Sequence, residues 1–264
     1  MIIMGNTMKA GTYTDFFFLA IALIIYIYSI RTAMTGRRIN LRKLATIEAI
    51  PEAVARAAEM GAPIHYSTAA AGTHTSDAAM TIAGLAILGE VARQCGKFGV
   101  PLRYSCNISY LIPVGQDLIK QGYTDGGRPE MYNDDMVVYT TEQQRAFMSS
   151  VSGYLMREKP AVNMIFGATY WETTVVLGAG AVAGCMQMAG VPRLYYMPIA
   201  VTTCDYTLIG EELYAAAAYV ENVPHEMATI QAQDWLKAIM IVILILGTIA
   251  SSIGSDIISK FLGW

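Results

Sequence analysis

The chain has 264 residues, of which 54% are hydrophobic and only 15% are Asp, Glu, Lys or Arg. Soluble domains carry about 25% charged residues, so this composition indicates a membrane protein. The formal net charge of -3 excludes the basic surface of a nucleic-acid-binding protein. The large apolar fraction excludes a disordered chain.

The first apolar block, residues 16–30, has no charged residue and is bounded by Asp15 and Arg31. As a helix it would extend about 22 Å, short of the ~30 Å hydrocarbon core of a bilayer. Arg31 can snorkel to the interface, which extends the uncharged stretch to Gly36 and predicts a transmembrane helix. A cleaved signal peptide is disfavoured, because the positive charges follow the block rather than precede it.

The second apolar block, residues 238–255, is long enough to cross the bilayer without such help. Small residues recur in it at the four-residue spacing that lets helices approach closely, Gly247 with Ser251 and Ala250 with Gly254. This spacing suits packing on the first transmembrane helix of the same chain and packing on a second copy equally well.

Basic residues predict the orientation of both helices. Five of them follow the first block within a short stretch: Arg31, Arg37, Arg38, Arg42 and Lys43. Only Lys9 precedes the block, so the positive-inside rule places the middle of the chain in the cytoplasm and both termini outside the cell membrane. We therefore expect a tail, helix and basic segment in residues 1–43, a cytoplasmic α/β domain in 44–236, and a helix with a short outer tail in 237–264.

The cysteines and histidines predict no metal site. All four cysteines lie in the middle segment without C-x-x-C spacing: Cys95, Cys106, Cys185 and Cys204. Reduced, packed thiols are expected in a cytoplasmic domain. The three histidines, His65, His74 and His225, are too scattered to supply zinc ligands. No metal and no cofactor is assigned.

Short runs rich in β-branched and aromatic residues predict five strands in the middle segment: 62–67, 101–106, 135–140, 161–166 and 194–202. Helices are expected between them. Strands that alternate with helices of this length predict an α/β fold, a mostly parallel Rossmann-like sheet with helices on both faces, flanked by N- and C-terminal transmembrane helices.

Several residues mark the expected helix ends. Pro51 suits a first helical position and Gly61 a C-terminal cap. Ser76 or Asp77 can cap a helix that reaches Gly96. Thr140 with Gln143, three residues later, fits a capping box for a helix that runs to about residue 158.

A third uncharged run, residues 173–192, is long enough for a further span. Its small residues and four glycines favour a buried helix packed on the sheet, with a third span as the alternative. Gly178, Gly180 and Gly184 in this run resemble a dinucleotide-binding fingerprint. Only eight residues would separate the flanking strands, too few for a parallel crossover, so one helix over 170–190 is the preferred interpretation.

Parallel sheets bind ligands at the carboxyl ends of their strands. Four loops are expected there: 68–77, 107–112, 167–172 and 203–207. Their polar residues form a candidate ligand site: Thr73, His74, Ser76, Asn107, Glu172 and Asp205. The alternative for the first loop is that its polar residues only cap the following helix.

Cys204 and Asp205 form a second candidate, because a carboxylate beside a thiol at a strand end can orient a nucleophile or a metal. No base adjoins Cys204 in the sequence. Asp205 can equally cap the next helix. No catalytic residue is assigned.

Four strings resemble an uncharacterised prokaryotic family known only as a domain of unknown function: TTCDYTLIGEELYAAAAYV, QAQDWLKA, PEAVARAAEMGAPIHY and MREKPAVN. The resemblance covers nearly all of residues 44–250. It implies a membrane-anchored α/β protein without an assigned activity, and it carries over no catalytic residue.

Two functions follow from these features. The favoured one is a membrane-anchored cytoplasmic domain that self-associates into a scaffold or ring, with the lipid bilayer, further copies of the chain and other membrane proteins as partners. The alternative is a small-molecule or nucleotide-binding domain, or a hydrolase, with its site at the carboxyl ends of the strands. A transporter is disfavoured, because the two spans carry no intramembrane charge.

Overall fold

The computed structural model describes residues 12–35, 43–74 and 76–253. The chain divides into two compact units, Met1–Leu41 with Asn222–Trp264, and Arg42–Glu221. Ten α-helices are described: α1 Thr12–Met34, α2 Ala45–Glu48, α3 Ile50–Met60, α4 Ala78–Phe98, α5 Leu111–Asp125, α6 Gln144–Glu158, α7 Glu172–Ala183, α8 Met197–Thr203, α9 Glu212–Glu221 and α10 Pro224–Ser252. Six strands are described: β1 Ile64–Ala69, β2 Leu102–Cys106, β3 Val137–Tyr139, β4 Val162–Ala168, β5 Met186–Val191 and β6 Tyr206–Ile209.

The first unit contains two helices long and apolar enough to cross a membrane. Both the stretch Phe16–Met34 and α10 reach a mean hydropathy of 2.0. The two helices pack against each other, and they leave large apolar side chains exposed, such as Leu19 and Leu244. Gly247 and Ser251 lie on α10. Gly254 lies outside the described residues.

The second apolar helix begins earlier than its apolar block. α10 starts at Pro224, whereas the sequence places the block from residue 238. Pro224 occupies the first turn, where its missing N–H costs nothing. The polar first half of α10 thus continues without a break into the apolar half.

The α/β unit is built on a six-stranded parallel sheet with strand order β3-β2-β1-β4-β5-β6. The predicted Rossmann-like α/β class is confirmed. The predicted ends of α3 are also confirmed, with Pro51 in its first turn and Gly61 in the left-handed conformation, at φ 62°, as its cap.

The last predicted strand is wrong. Residues 194–202 form a 3₁₀ turn followed by α8, and Pro198 lies in the first turn of that helix, where proline is favoured. The helix predicted over 170–190 is also wrong beyond residue 183, because β5 follows α7. The true last strands, β5 and β6, are not among the predicted ones.

The glycine of β5 has a packing reason. A Cβ added to Gly190 would lie 2.8 Å from Leu213 and 2.9 Å from Phe166, so the strand can hold no larger side chain there. Of the other residues of β5 only Val191 is β-branched and none is aromatic, so the strand lacks the composition on which strand prediction depends.

Alternate residues of each strand face two different layers. One face packs on α3, α4, α5 and α9 through residues such as Tyr66, Tyr104 and Phe166. The other face packs on α6, α7 and α8 around Ile165 and Leu177. The sheet is therefore covered by helices on both faces, which is usual for parallel sheets.

A row of polar side chains crosses the second face under α6 and α7. His65 on β1 hydrogen-bonds to Asn163 on β4 at 2.8 Å and to Ser105 on β2 at 3.1 Å. The Asn163 amide donates to Gln187 on β5 at 3.1 Å. The Gln187 amide in turn donates to the Leu177 and Thr203 carbonyls at 3.0 Å. All four polar side chains are at most 2% exposed, so their partners fix the register of four strands.

Burial of His65 makes stability depend on pH. Burial, opposed by the hydrogen bond with Asn163 and assisted by the nearby Arg103 charge, lowers the pKa of His65 to about 4. The unfolded chain takes up a proton below about pH 6.5, while the folded chain does not until about pH 4. The folded state should therefore lose about 3 kcal/mol relative to the unfolded state as the pH falls through this window.

Denaturation of the full chain in detergent, at several pH values across this window, measures that loss. Replacing His65 by Gln removes the titrating ring, so the slope of stability against pH should flatten. The exposed His74, changed to Gln, is the matched control and should keep the wild-type slope. Equal slopes for wild type and H65Q would show that the His65 ring is not held neutral by the fold.

Candidate functional site

The strand order reverses between β1 and β4, and this reversal creates a crevice. The chain leaves β1 towards α4 and β4 towards α7, and these two helices cover opposite faces of the sheet. The loops after β1 and β4 therefore diverge at the carboxyl edge. Open α/β sheets bind their ligands at such a switch point.

The loop after β1 is fixed by a residue of the loop after β2. β1 ends at Ala69 in the left-handed conformation, at φ 63°. The Tyr110 hydroxyl accepts a hydrogen bond from the Thr73 backbone N–H at 2.7 Å. Gly72 lies against the same hydroxyl and leaves no room for a Cβ, and the His74 ring stands 4.6 Å from the Tyr110 ring. Tyr110 thus positions the loop that leads to α4.

Three side chains from three loops meet in the crevice, and we call them the switch-point cluster: Asp77, Tyr170 and Arg193. Asp77 precedes α4 and is 5% exposed. Arg193, which follows β5, donates to its carboxylate at 2.6 Å, and the Tyr170 hydroxyl, which follows β4, donates to its other oxygen. The Arg193 guanidinium also lies 4.0 Å from the centre of the Tyr170 ring, a cation–π contact.

The charges of the cluster are set by these contacts. The hydrogen bond from Tyr170 and then the hydrogen bond and charge of Arg193 lower the pKa of Asp77 against the opposing effect of burial. Burial, followed by the hydrogen bond to Asp77, raises the pKa of Tyr170. At neutral pH the cluster therefore holds an ionised carboxylate, a protonated phenol and a guanidinium.

Two threonine hydroxyls that flank Tyr170 in the chain have no hydrogen-bond partner in the described part of the structure. Thr169 and Thr173, 0% and 2% exposed, lie on either side of Tyr170, at the start of α7. Their hydroxyl oxygens are buried and make no hydrogen bond to any residue that the structure describes. A buried hydroxyl without a partner is costly, so a ligand or water that reaches it would restore the lost hydrogen bond.

The structure places five of the six predicted site residues at this carboxyl edge. Thr73 is half-buried, while His74 and Ser76 are exposed. Asn107 is 2% exposed, and its amide donates to the Ala70 carbonyl at 3.1 Å, so it supports the first loop. Glu172 is the first residue of α7. Its side chain lies outside the described residues.

Asp205 lies at the opposite edge of the sheet. Residues 203–207 follow a helix rather than a strand, so Asp205 stands before β6 instead of after a strand. Its carboxylate accepts from the Gln187 backbone N–H at 2.7 Å, at the amino end of β5. Asp205 therefore ties β6 to β5 and does not join the other predicted residues.

Cys204 beside it is not an activated nucleophile. Burial, with the Asp205 charge acting in the same direction, raises the pKa of Cys204 to about 11. The thiol is therefore protonated at neutral pH. Among the described residues, no three His, Cys, Asp or Glu side chains gather as metal ligands.

The three glycines of the resembling dinucleotide fingerprint do not form a phosphate loop. Gly178 and Gly180 lie inside α7, and Gly184 caps its end with φ 79°. Gly180 instead gives room to Gln187 and Asn163 of the polar row, whose side chains a Cβ there would meet.

Sequence reasoning missed most of the switch-point cluster. Asp77 was expected only as a helix cap, yet its side chain makes no cap hydrogen bond to α4 within the described part of the chain. Arg193 was hidden because β5 was not recognised as a strand. The sequence did offer one signal. Arg193 is the first charged residue after the uncharged run 173–192, and a charged residue in such a position is a candidate for a ligand site.

Comparison with known proteins adds a family but no activity. The family model described as "Domain of unknown function (DUF6754)" matches residues 5–262, nearly the whole chain. No curated protein and no solved structure matches the chain.

Proposed function

The chain belongs to this family of unknown function, and we propose that its α/β unit binds a small phosphorylated ligand in the crevice between β1 and β4. One observation carries the proposal. Arg193, ion-paired to Asp77, lies over the Tyr170 ring at the switch point, and Thr169 and Thr173, which flank Tyr170 in the chain, have buried hydroxyls without a partner among the described residues. This is the place where ligands enter open α/β sheets.

The start of α7 supports a phosphate rather than an uncharged group. The positive end of a helix dipole favours an anion, although the N–H groups of Thr173 and Thr174 already donate to the carbonyls of Tyr170 and Trp171 at 3.1 Å. Thr173 lies in the first turn and Thr169 just before it, so their hydroxyls can donate to the same anion. Arg193 stacks on the ring of Tyr170, and Tyr170 lies between the two threonines in the sequence. This contact connects Arg193 with the start of α7.

Asp77 supports a ligand that also carries hydroxyl groups. Its two carboxylate oxygens accept from Tyr170 and Arg193, and a carboxylate oxygen can accept more than one hydrogen bond. An ionised carboxylate in a crevice accepts readily from a sugar hydroxyl. A sugar phosphate or nucleotide, with a phosphate and hydroxyls a few atoms apart, fits both halves of the site.

Replacing Thr173 by Val tests this role of the unpartnered hydroxyl. The substitution removes a hydroxyl that has no partner, so the free energy of unfolding should stay the same or rise. Binding of ribose 5-phosphate, AMP or ADP should weaken about tenfold, because one donor to the phosphate is lost. Thermal denaturation of the full chain in detergent, with and without each compound, measures both effects.

Thr81→Val is the matched control. Thr81 is fully buried like Thr173, but its hydroxyl donates to the Ala71 carbonyl at 2.9 Å. This variant should be less stable by about 1 kcal/mol. Arg193→Gln should also weaken binding, whereas Arg56→Gln, an exposed arginine on α3, should not. If none of the compounds stabilises the wild type, the proposed function fails.

We further propose that α1 and α10 hold this unit on the cytoplasmic side of a membrane, with both termini outside. The support is the basic stretch after α1 and the exposed apolar surface of both helices. A reporter that is active only outside the cell should be active when fused after Trp264. A reporter that is active only in the cytoplasm should be active when inserted after Lys43. The reverse pattern would contradict the orientation.

Self-association into a scaffold is a second proposal, and it depends on α10. Gly247 and Ser251 are one turn apart, which allows a close approach of another helix. Large apolar side chains near them are exposed in the single chain. Leu244, for example, is 70% exposed.

If this surface joins copies of the chain, Gly247→Leu should dissociate the oligomer into monomers, because a bulky side chain blocks close helix contact. Light scattering of the detergent complex after size exclusion measures the mass. Val242→Ala is the control, since this exposed side chain lies on another face of α10, about 140° around the helix from Gly247, and the change keeps the small-residue spacing. A wild type that is monomeric at every concentration would rule out self-association.

A further inference from the structure

The α/β unit has a cavity at the amino edge of the sheet, opposite the switch point. Its volume is about 340 Å³, within the range of small-molecule sites. It is lined by residues before or at the start of β1, β2 and β3 and by the last two turns of α6: Pro63, Pro101, Arg103, Asp135, Tyr154 and Glu158. We call it the amino-edge cavity.

Arg103 in this cavity is a cation without an anionic partner. Its side chain makes no hydrogen bond and no ion pair with any residue in the described ranges, and its Nε atom is buried without a partner. The guanidinium lies 4.1 Å from the centre of the Tyr154 ring, which orients it. A partly buried guanidinium that is oriented but unpaired is costly to keep, and a carboxylate ligand would compensate it.

Two carboxylates line the same cavity. Asp135 and Glu158 are exposed, and neither forms an ion pair with Arg103. The Asp135 backbone is held by Asn133, whose side chain accepts its N–H at 3.2 Å. The cavity therefore presents one positive group and two negative groups that do not neutralise each other by direct contact.

We propose that the amino-edge cavity is a binding site for a free α-amino acid. Arg103 takes the carboxylate through its planar pair of N–H groups, and Asp135 with Glu158 takes the ammonium group. Leu102 and Met136 supply apolar wall for the ligand side chain. A simple carboxylate or a simple amine satisfies only one half of this charge pattern.

The site is separate from the phosphate site. Arg103 and Arg193 belong to opposite edges of the sheet, at the start of β2 and after the end of β5. The two can therefore be tested independently. Loss of one binding activity would leave the other intact.

The test is calorimetric titration of the full chain in detergent with glycine, leucine, glutamate and lysine, beside propionate and propylamine. We expect at least one amino acid to bind about tenfold or more tightly than either simple ion, because both charges are engaged. Arg103→Lys should weaken it about tenfold, since lysine keeps the charge but loses the bidentate geometry. Arg56→Lys is the matched control and should leave binding unchanged.

Asp135→Asn and Glu158→Gln provide the second arm. Both residues are exposed, so these changes should preserve the fold, which circular dichroism verifies. They should weaken amino-acid binding and leave propionate binding unchanged. The proposal is overturned if no amino acid binds, if propionate binds as tightly as the best amino acid, or if R103K and the carboxylate variants bind like the wild type.

Discussion

The α/β unit depends on one constraint, the reversal of strand order between β1 and β4 in a sheet whose six strands all run parallel. Because α4 and α7 then cover opposite faces, the loops after these two strands must separate at the carboxyl edge. The strands themselves stay in close contact up to that point. Gly167, with φ 151°, lies directly against the Thr68 backbone, where a side chain would not fit.

Two polar systems use this framework in different ways. The row from Ser105 through His65 and Asn163 to Gln187 is closed, since its members satisfy one another and the backbone. It specifies the register of the sheet. The switch-point cluster is open, because the hydroxyls of Thr169 and Thr173 next to it lack partners in the described chain. An unsatisfied buried group of this kind is expected at a ligand site rather than in a framework.

The sequence predicts the fold class and the first four strands because their residues follow ordinary strand preferences. It misses β5 because only Val191 of its six residues is β-branched and none is aromatic, while the run of small residues before it favours a helix. The same error hides Arg193, which follows β5, whereas the wrongly predicted strand over 194–202 places Asp205 at the wrong edge. Thr73, His74, Ser76 and Asn107 were placed at the correct edge, since the strands before them were recognised.

The electrostatics of the cluster could not be read from the sequence. Asp77 precedes a helix, so capping explains it fully until the positions of Tyr170 and Arg193 are known. These partners come from loops about one hundred residues away in the chain. Likewise, Arg103 is recognised as unpaired only when its surroundings on β2 and α6 are seen.

The most direct test of the central claim is an experimental structure of the full chain determined with ADP. We expect a phosphate at the start of α7, within hydrogen-bond distance of the Thr173 hydroxyl and of Arg193, and a sugar hydroxyl near Asp77. A phosphate bound elsewhere, or a Thr173 hydroxyl that contacts only protein atoms beside an unaltered Asp77–Arg193 pair, would contradict the account.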